Sequence, residues 1–422
     1  MGANEFSKEE RVAFEDILEG FQDALVLSRN VSIYRGLSET ENERSDDVIW
    51  RPMPYILQSY DGADQSSNFD GVGQLSVPST VGYDKSVPWE MTAVQMRDAL
   101  QQNRLGEAAK VRLASDINVA VMNKASLEGT LVVKRTGAAT GFNDIAECDT
   151  MMNEQGIQSF MRYYAASSGD YNAMAGNLAA RQTVAGKVLT AYERAYVDNI
   201  SSFDMYKMDY SYRLTAAAGS GITMDTQAAA NNYYVPKATS TASSGEKSNV
   251  DNRYQQITVS STASVKEGDC FTVAGIVSMH HIAKQATGNL KTYRVKSVDS
   301  GTTMTISPPI ISNQGSSRIE EQYQNCEVTE SATAAITFLN TADAQVNPFW
   351  YKDAIELRPS TIASPSDAGA QILRATTDQG IEVVFQKQYD IKTRKTLYRT
   401  DCRFGVTMMQ PEMAGIELFN QI

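Results

Sequence analysis

Residues 105–121 read LGEAAKVRLASDINVAV, with Leu105, Ala109, Leu113, Ile117 and Val121 at every fourth position. Side chains four apart stack on one face of an α-helix, so the stretch predicts a helix carrying an apolar stripe. Followed outward until the pattern fails, it runs from Thr92 to Glu128, with Gly106 near its start, and it is the longest helix in the chain.

Upstream the period changes to that of strands. Val48 to Tyr60 and Val72 to Tyr83 are extended stretches around a tip, Asp61 to Gly71, rich in Asp, Ser, Gly and Asn, and Leu75, Val77, Val81 and Tyr83 keep a rough period of two. This predicts a long hairpin with a mobile loop, and a hairpin of that kind needs another surface to lie on. Earlier still, Ser7-Lys8-Glu9-Glu10 forms a capping box ahead of Phe14, Ile17, Leu18, Phe21 and Leu25, the pattern of one amphipathic helix. Residues 1–47 hold twelve acids and five bases, so this arm carries seven of the twelve net negative charges and should stand outside the core.

Downstream, helices are predicted over Asn143–Gln155, Tyr171–Ala180 and Ala185–Asp198. Leu214 to Ser248 is rich in Ala, Ser, Thr and Gly, which marks a boundary or a mobile connection. Short strands follow at Tyr254–Ser260, Asp269–Ala274, Thr292–Val298, Thr302–Ser307 and Ala334–Leu339, separated by Gly, Asp and Ser turns, and they indicate a small all-β barrel or sandwich. Strands at Ile381–Phe385 and Arg399–Met409 return the chain to mixed character, so the β unit reads as an insertion in an α+β protein.

The 422 residues suffice for a large core without metals or disulfides. With 50 acidic against 38 basic residues, the chain is not one that holds nucleic acid by neutralising phosphates. Cys148, Cys270, Cys326 and Cys402 form no C-x-x-C pair and read as buried reduced thiols. The first twenty residues carry charges where a signal peptide needs an apolar run, and no apolar stretch approaches 18 residues, so a cytoplasmic product with no membrane partner is expected.

Catalytic signatures are missing. The two histidines, His280 and His281, are adjacent; on a strand they would point to opposite faces and could not chelate one ion. No H-E-x-x-H, G-x-S-x-G, Walker loop or G-x-G-x-x-G is found, and Asp269 after Gly268 is accounted for by a turn. The tyrosine clusters, Tyr163-Tyr164, Tyr233-Tyr234 and Tyr206, Tyr210, Tyr212, lack interleaved Lys and Arg and read as core or subunit interface; Trp50, Trp89 and Trp350 read as packing anchors. No catalytic residue, metal or cofactor is assigned.

Several short strings, in order along the chain, resemble the coat proteins of P22-like short-tailed phages, members of the HK97-fold capsid family. They are Ile49-Trp50-Arg51-Pro52 at the hairpin entry, Asn249 to Arg253 opening the inserted barrel, Gly268-Asp269, Ala274-Gly275 and Ala283-Lys284 within it, Asn347, Phe349-Trp350 and Asp353-Ala354-Ile355 on the return, and Pro411-Glu412 near the end. Between Gln158 and Leu214 the anchors are Tyr171 and Phe203-Asp204.

The resemblance implies an HK97-like capsid fold with an N-terminal arm (1–47), an extended hairpin or E-loop (48–91), a peripheral domain with the spine helix (92–157), a first axial part (158–216), an inserted β-barrel (217–342) and a return of axial and peripheral strands (343–422). It implies a major capsid protein that assembles as hexamers and pentamers, with a scaffolding protein and a portal protein, into an icosahedral T=7 procapsid that matures around double-stranded DNA in a bacterial cytoplasm. The positions matching the scaffold contact are Glu15, Asp16 and Glu19, for which an ordinary solvated helix face is an equal explanation. The matching inter-capsomer loop is Ser243 to Lys247, with Glu246 and Lys247 as its charges; it is less acidic than in relatives, an exposed pair there is worth at most about 1 kcal/mol, and a plain flexible turn is the favoured reading of these residues. Two other readings are a binding module with its β-sandwich at 222–342, which leaves the arm, hairpin and helix unexplained, and a hydrolase of unfamiliar constellation.

Overall fold

The computed structural model describes residues 14, 25–34, 48–54, 56–57, 59–66, 69, 73–92, 95, 99–180, 198–225, 233–312, 318–329, 333–362 and 370–422. Two compact units emerge, the first from residues 1–49, 79–121 and 355–407, the second from 50–78, 122–354 and 408–422. Helices and strands mix in the way expected for an α+β protein.

In the first unit a six-stranded sheet runs in the order Ser32–Ile33, Ile355–Ser360, Lys395–Met408, Glu382–Asp390, Gln371–Thr376, with Tyr83–Thr92 also paired to Lys395–Met408. The sequence reading ended the upstream strand at Tyr83 and began a helix at Thr92; instead Tyr83 to Thr92 forms a ten-residue strand in register with Phe404 to Lys395. Its burial alternates, and Trp89 stacks on Tyr398 at 5.7 Å. Helix α1 covers Ala99–Glu128. Between strand and helix, the Thr92 N–H donates to Gln95 Oε1 at 2.9 Å while its hydroxyl accepts from the Gln95 N–H, a reciprocal pair of the capping-box kind; the other residues before Ala99 lie outside the described ones. Of the fourfold repeat, Ala109, Leu113, Ile117 and Val121 are buried and Leu105 is exposed.

The second unit has two centres. One is a six-stranded sheet ordered Leu131–Lys134, Ala414–Leu418, Asn347–Tyr351, Arg162–Ser167, Phe203–Met208, Asn199–Ile200. Helices α2 (Phe142–Glu154) and α3 (Ser168–Ala179) supply Ile145, Cys148, Met152, Tyr171 and Met174 to its core. Both begin within three residues of the predicted starts; the Ala185–Asp198 helix lies almost wholly outside the described residues.

The other centre is the β-barrel. Its strands run Thr223–Asp225, Thr333–Phe338, Cys270–Met279, Ala286–Val298, Thr303–Ser307, Gln255–Thr258, and a bridge from Met224 to Val259 brings the two ends together. All five predicted strands are present, and closure favours the barrel over the sandwich. The first strand lies inside the stretch read as a connection, because only Ile222 and Met224 mark its apolar face amid small polar residues. Where a long hairpin was expected, Val48–Pro52 pairs with Ser76–Thr80 and no strand is found among the described residues of 53–75; the tip is held by local bonds such as Gln65 Nε2 to Gly62 O at 2.7 Å.

His280 and His281 correct another expectation. They lie in a turn that follows strand Cys270–Met279, not on a strand: His280 accepts Lys284 N–H at its carbonyl and Ala283 N–H at Nδ1.

Candidate functional site

Strand Ala286–Val298 carries five consecutive buried residues, Lys291 to Val295, which a strand with one wet face cannot have. Tyr293 and Val295 point into the barrel core. Their alternates, Thr292, Arg294 and Lys296, turn the other way and grip the end of α1 and the strand after it. Thr292 Oγ1 donates to Thr130 O at 2.7 Å, and Lys296 Nζ reaches Glu128 Oε1 at 3.0 Å, where Lys124 also bonds at 2.8 Å. Burial alone would raise the Glu128 carboxyl, but the two lysines hold it below the usual carboxylate range. Arg294 donates to three carbonyls, Ser126 at 2.6 Å, Gly129 at 3.2 Å and Gly268 at 3.1 Å. Two of these are unpaired by geometry at a helix end, so the barrel is fastened by the helix's own orphan acceptors.

A second fastening lies at the turn Pro411–Met413. Glu412 takes Lys291 and Asn325, both from the barrel segment, on one carboxylate oxygen. His281 lies 3.7 Å away, and burial drives its pKa down to about 4, so the ring is neutral near pH 7. Beside this turn a cavity of about 270 Å³ is lined by Ile157, Ile311, Leu75 and Met413 among others, with His281 and Glu412 at its edge. Glu412 is already committed to Lys291, and among the described residues no three His, Cys, Asp or Glu are grouped to hold a metal. The four cysteines are buried free thiols, as expected, and burial pushes Cys326 and Cys402 up to about 12. Unreactive thiols of this kind suit packing.

Glu417, in the sheet of α2 and α3, is fully buried and accepts the Tyr164 hydroxyl at 2.6 Å. Burial lifts its pKa from 4.5 to about 8. An acid that binds its proton more tightly when folded stabilises the fold below its unfolded pKa and loses that contribution as pH rises toward the folded one. Between pH 5 and 8 the unfolding free energy should therefore drop relative to that of Glu417→Gln, by at most about 1.4 kcal/mol per pH unit. Urea titrations of both chains at pH 5, 6.5 and 8 check this, and parallel pH curves would refute it.

Other features face outward. The hairpin Thr239–Thr241 with Lys247–Asn249 is exposed at every strand position, and its turn uses Gly245 at φ +86° with Ala242 N–H donating to Glu246 O at 2.9 Å. Glu246 and Lys247 sit on this hairpin, and both are exposed. Near the tip of the extended segment, Leu57 and Phe69 are 67% and 87% exposed, apolar surface that a lone subunit leaves in water. Glu15, Asp16 and Glu19 lie outside the described residues. Trp350 is fully buried and Trp89 stacked, as packing anchors should be.

The model of the family described as P22 coat protein, gene protein 5, matches residues 1–420. The chain belongs to the P22 coat protein family. It is a major capsid protein that forms a phage shell with copies of itself, located in the virion, and the HK97-like capsid fold goes with that membership. Among solved structures, the CUS-3 coat protein I-domain is 37% identical over 29% of this chain and 99% of its own, with a TM-score of 0.22. A Mycobacterium phage Che8 structure is 8% identical, covering 93% of this chain and 90% of its own at a TM-score of 0.44, and the capsid of cyanophage P-SCSP1u is 10% identical, covering 93% and 87% at 0.42. A module confined to 222–342 would account for the barrel alone, whereas the family match runs through the arm, helix, barrel and closing strand.

The sequence reading passed over Arg294, Lys291 and Glu417, and took Glu412 only as part of the Pro411-Glu412 string. For the first, a signal was present: Thr292, Arg294 and Lys296 alternate with Tyr293 and Val295, an apolar face backed by a polar one of unusual length.

Proposed function

We propose that this coat protein assembles with a scaffolding protein, as hexamers and pentamers, into a T=7 icosahedral procapsid in the host cytoplasm. The shell takes a portal protein, matures and encloses double-stranded DNA without sequence-specific contacts. Its work is mechanical rather than enzymatic, and it needs no cofactor. The division into arm (1–47), E-loop (48–91), spine-helix domain (92–157), axial part (158–216), barrel (217–342) and return (343–422) belongs to the same reading. The observation that supports it most directly is the hairpin at 239–249, whose strand residues are all exposed. Many such modest contacts let a shell close without trapping misassembled pieces. Electron microscopy of particles from cells expressing the chain with its scaffolding gene tests this: closed shells of T=7 geometry are expected, and a monodisperse monomer would end the proposal.

Within this reading, Glu15, Asp16 and Glu19 receive a basic helical segment of the scaffold. Glu15→Lys with Asp16→Lys should weaken that binding about tenfold and steepen its loss with added salt; unchanged affinity in a co-sedimentation assay would remove the assignment. Glu246 and Lys247 mark the contact between capsomers across a two-fold. Exchanging Glu246→Lys alone should shift particle stability by no more than about 1 kcal/mol, since the pair is exposed, whereas deleting 242–246 should stop closure. Normal shells from the deletion would show that the loop is a plain turn.

A further inference from the structure

The outer half of the ribbon in the first unit has the charge sign opposite to that of the chain. Strands Glu382–Asp390 and Lys395–Met408 are buried on both faces at one end and alternate or open to water toward the turn that joins them. That turn, residues 391–394, is exposed throughout. Its conformation is set locally: Asp390 Oδ1 accepts Lys392 N–H at 2.9 Å, Oδ2 accepts the Thr393 hydroxyl at 2.7 Å, and Arg394 adopts φ +57°. With its one acid engaged in the turn, the tip presents Lys392 and Arg394 outward, with Lys395 paired to Glu90 just behind. Tyr389 and Ile391, 57% and 80% exposed, lie beside them. Among the described residues this cationic and apolar tip, on a chain of net charge -12, has no further partner, and such a surface suits an acidic strand with an apolar residue.

The chain contains one. Residues 36–47, GLSETENERSDD, hold Glu39, Glu41, Glu43, Asp46 and Asp47 against Arg44, with Leu37 ahead of them. We propose that the ribbon tip at 389–395 receives the acidic segment 36–47 of a second copy of the chain. This rests on the shell assembly described above and names one of its contacts.

The segment must come from another copy because of reach. Tyr34 N–H donates to Leu357 O, and the neighbours Glu356 and Arg358 both bond Ser79, while Thr80 N–H meets Thr407 Oγ1. Val48 opens the short strand paired with Ser76–Thr80. Both ends of the segment are thus fixed near Thr407. From Thr407 to Lys395 the ribbon extends about 40 Å at ~3.3 Å per residue, whereas thirteen residues, 35–47, that leave and return can rise only about 21–24 Å even fully extended.

The test uses the full chain carrying Glu41→Cys with Thr393→Cys, recovered as particles by sedimentation and denatured without reductant. The native cysteines are buried, so a ladder of covalent multimers is the expected result, and monomer alone overturns the proposal. In a second arm, Lys392→Glu with Arg394→Glu should cut particle yield about tenfold, and adding Glu39→Lys, Glu41→Lys and Glu43→Lys to the same chain should restore it to within about twofold. Undiminished yield from the tip variant, or no rescue by the charge exchange, overturns it equally. Parent chain run alongside separates the two ideas: if it yields no particles, the assembly reading itself has failed.

Discussion

Replacing Arg294 by methionine is expected to lower the unfolding free energy of the unassembled subunit by about 3 kcal/mol. Methionine retains most of the aliphatic bulk, so the effect isolates the guanidinium. Removing it strands the carbonyls of Ser126 and Gly129, and leaves that of Gly268 only the Cys270 thiol, in a site where Arg294 is 1% exposed, and each buried acceptor without a partner costs about 1 kcal/mol or more. Arg294→Lys should recover only part of the loss, because a single ammonium cannot span carbonyls on both sides of a planar fork. Urea denaturation followed by tryptophan fluorescence measures both variants. A methionine chain as stable as the parent would show that water replaces the guanidinium and that the barrel is held by apolar contact instead.

The second large effect comes from a single methyl group. Gly415 lies in the interior strand Ala414–Leu418, between Leu131 on one side and Phe349 on the other. A Cβ there would stand 2.5 Å from Leu131 O, 2.5 Å from Phe349 Cζ and 2.6 Å from Leu131 Cβ. Two of these belong to a paired strand that cannot yield without breaking its ladder, and the third to a ring fixed in the core by Phe203 at 5.9 Å. Overpacking of this kind costs about 3 kcal/mol or more, so Gly415→Ala should lower the melting temperature by several degrees and reduce soluble yield. Gly137→Ala, where an added Cβ meets nothing within 4 Å, is the control, with a change under about 0.5 kcal/mol. Equal behaviour of the two variants would mean the sheet breathes more than its register implies.

Both effects fall at places the sequence does not announce, and the reason is the same. Arg294 looks like any arginine on a strand, and Gly415 like any glycine near a terminus; what makes them critical is supplied by residues 165 and 284 positions away in the chain. Glu417 is similar. Its proton affinity comes from burial beside Tyr164 and helix α2, an environment assembled from distant parts of the chain.

Other features were legible because they depend on near neighbours. The fourfold spacing of Ala109, Leu113, Ile117 and Val121 specified a helix and its buried face, and alternation with turn residues specified the barrel strands, since a side chain's direction follows directly from its position in a local period. The acidity of the arm and the ordered strings shared with P22-like coat proteins were likewise present in the linear text, and they led to the family. Tertiary structure alone decided that Tyr83–Thr92 is a strand, that the barrel closes through Met224, and that a histidine pair sits in a turn. Strand pairing, closure and desolvation are set by whichever distant segment arrives alongside, and no local period records which one that will be.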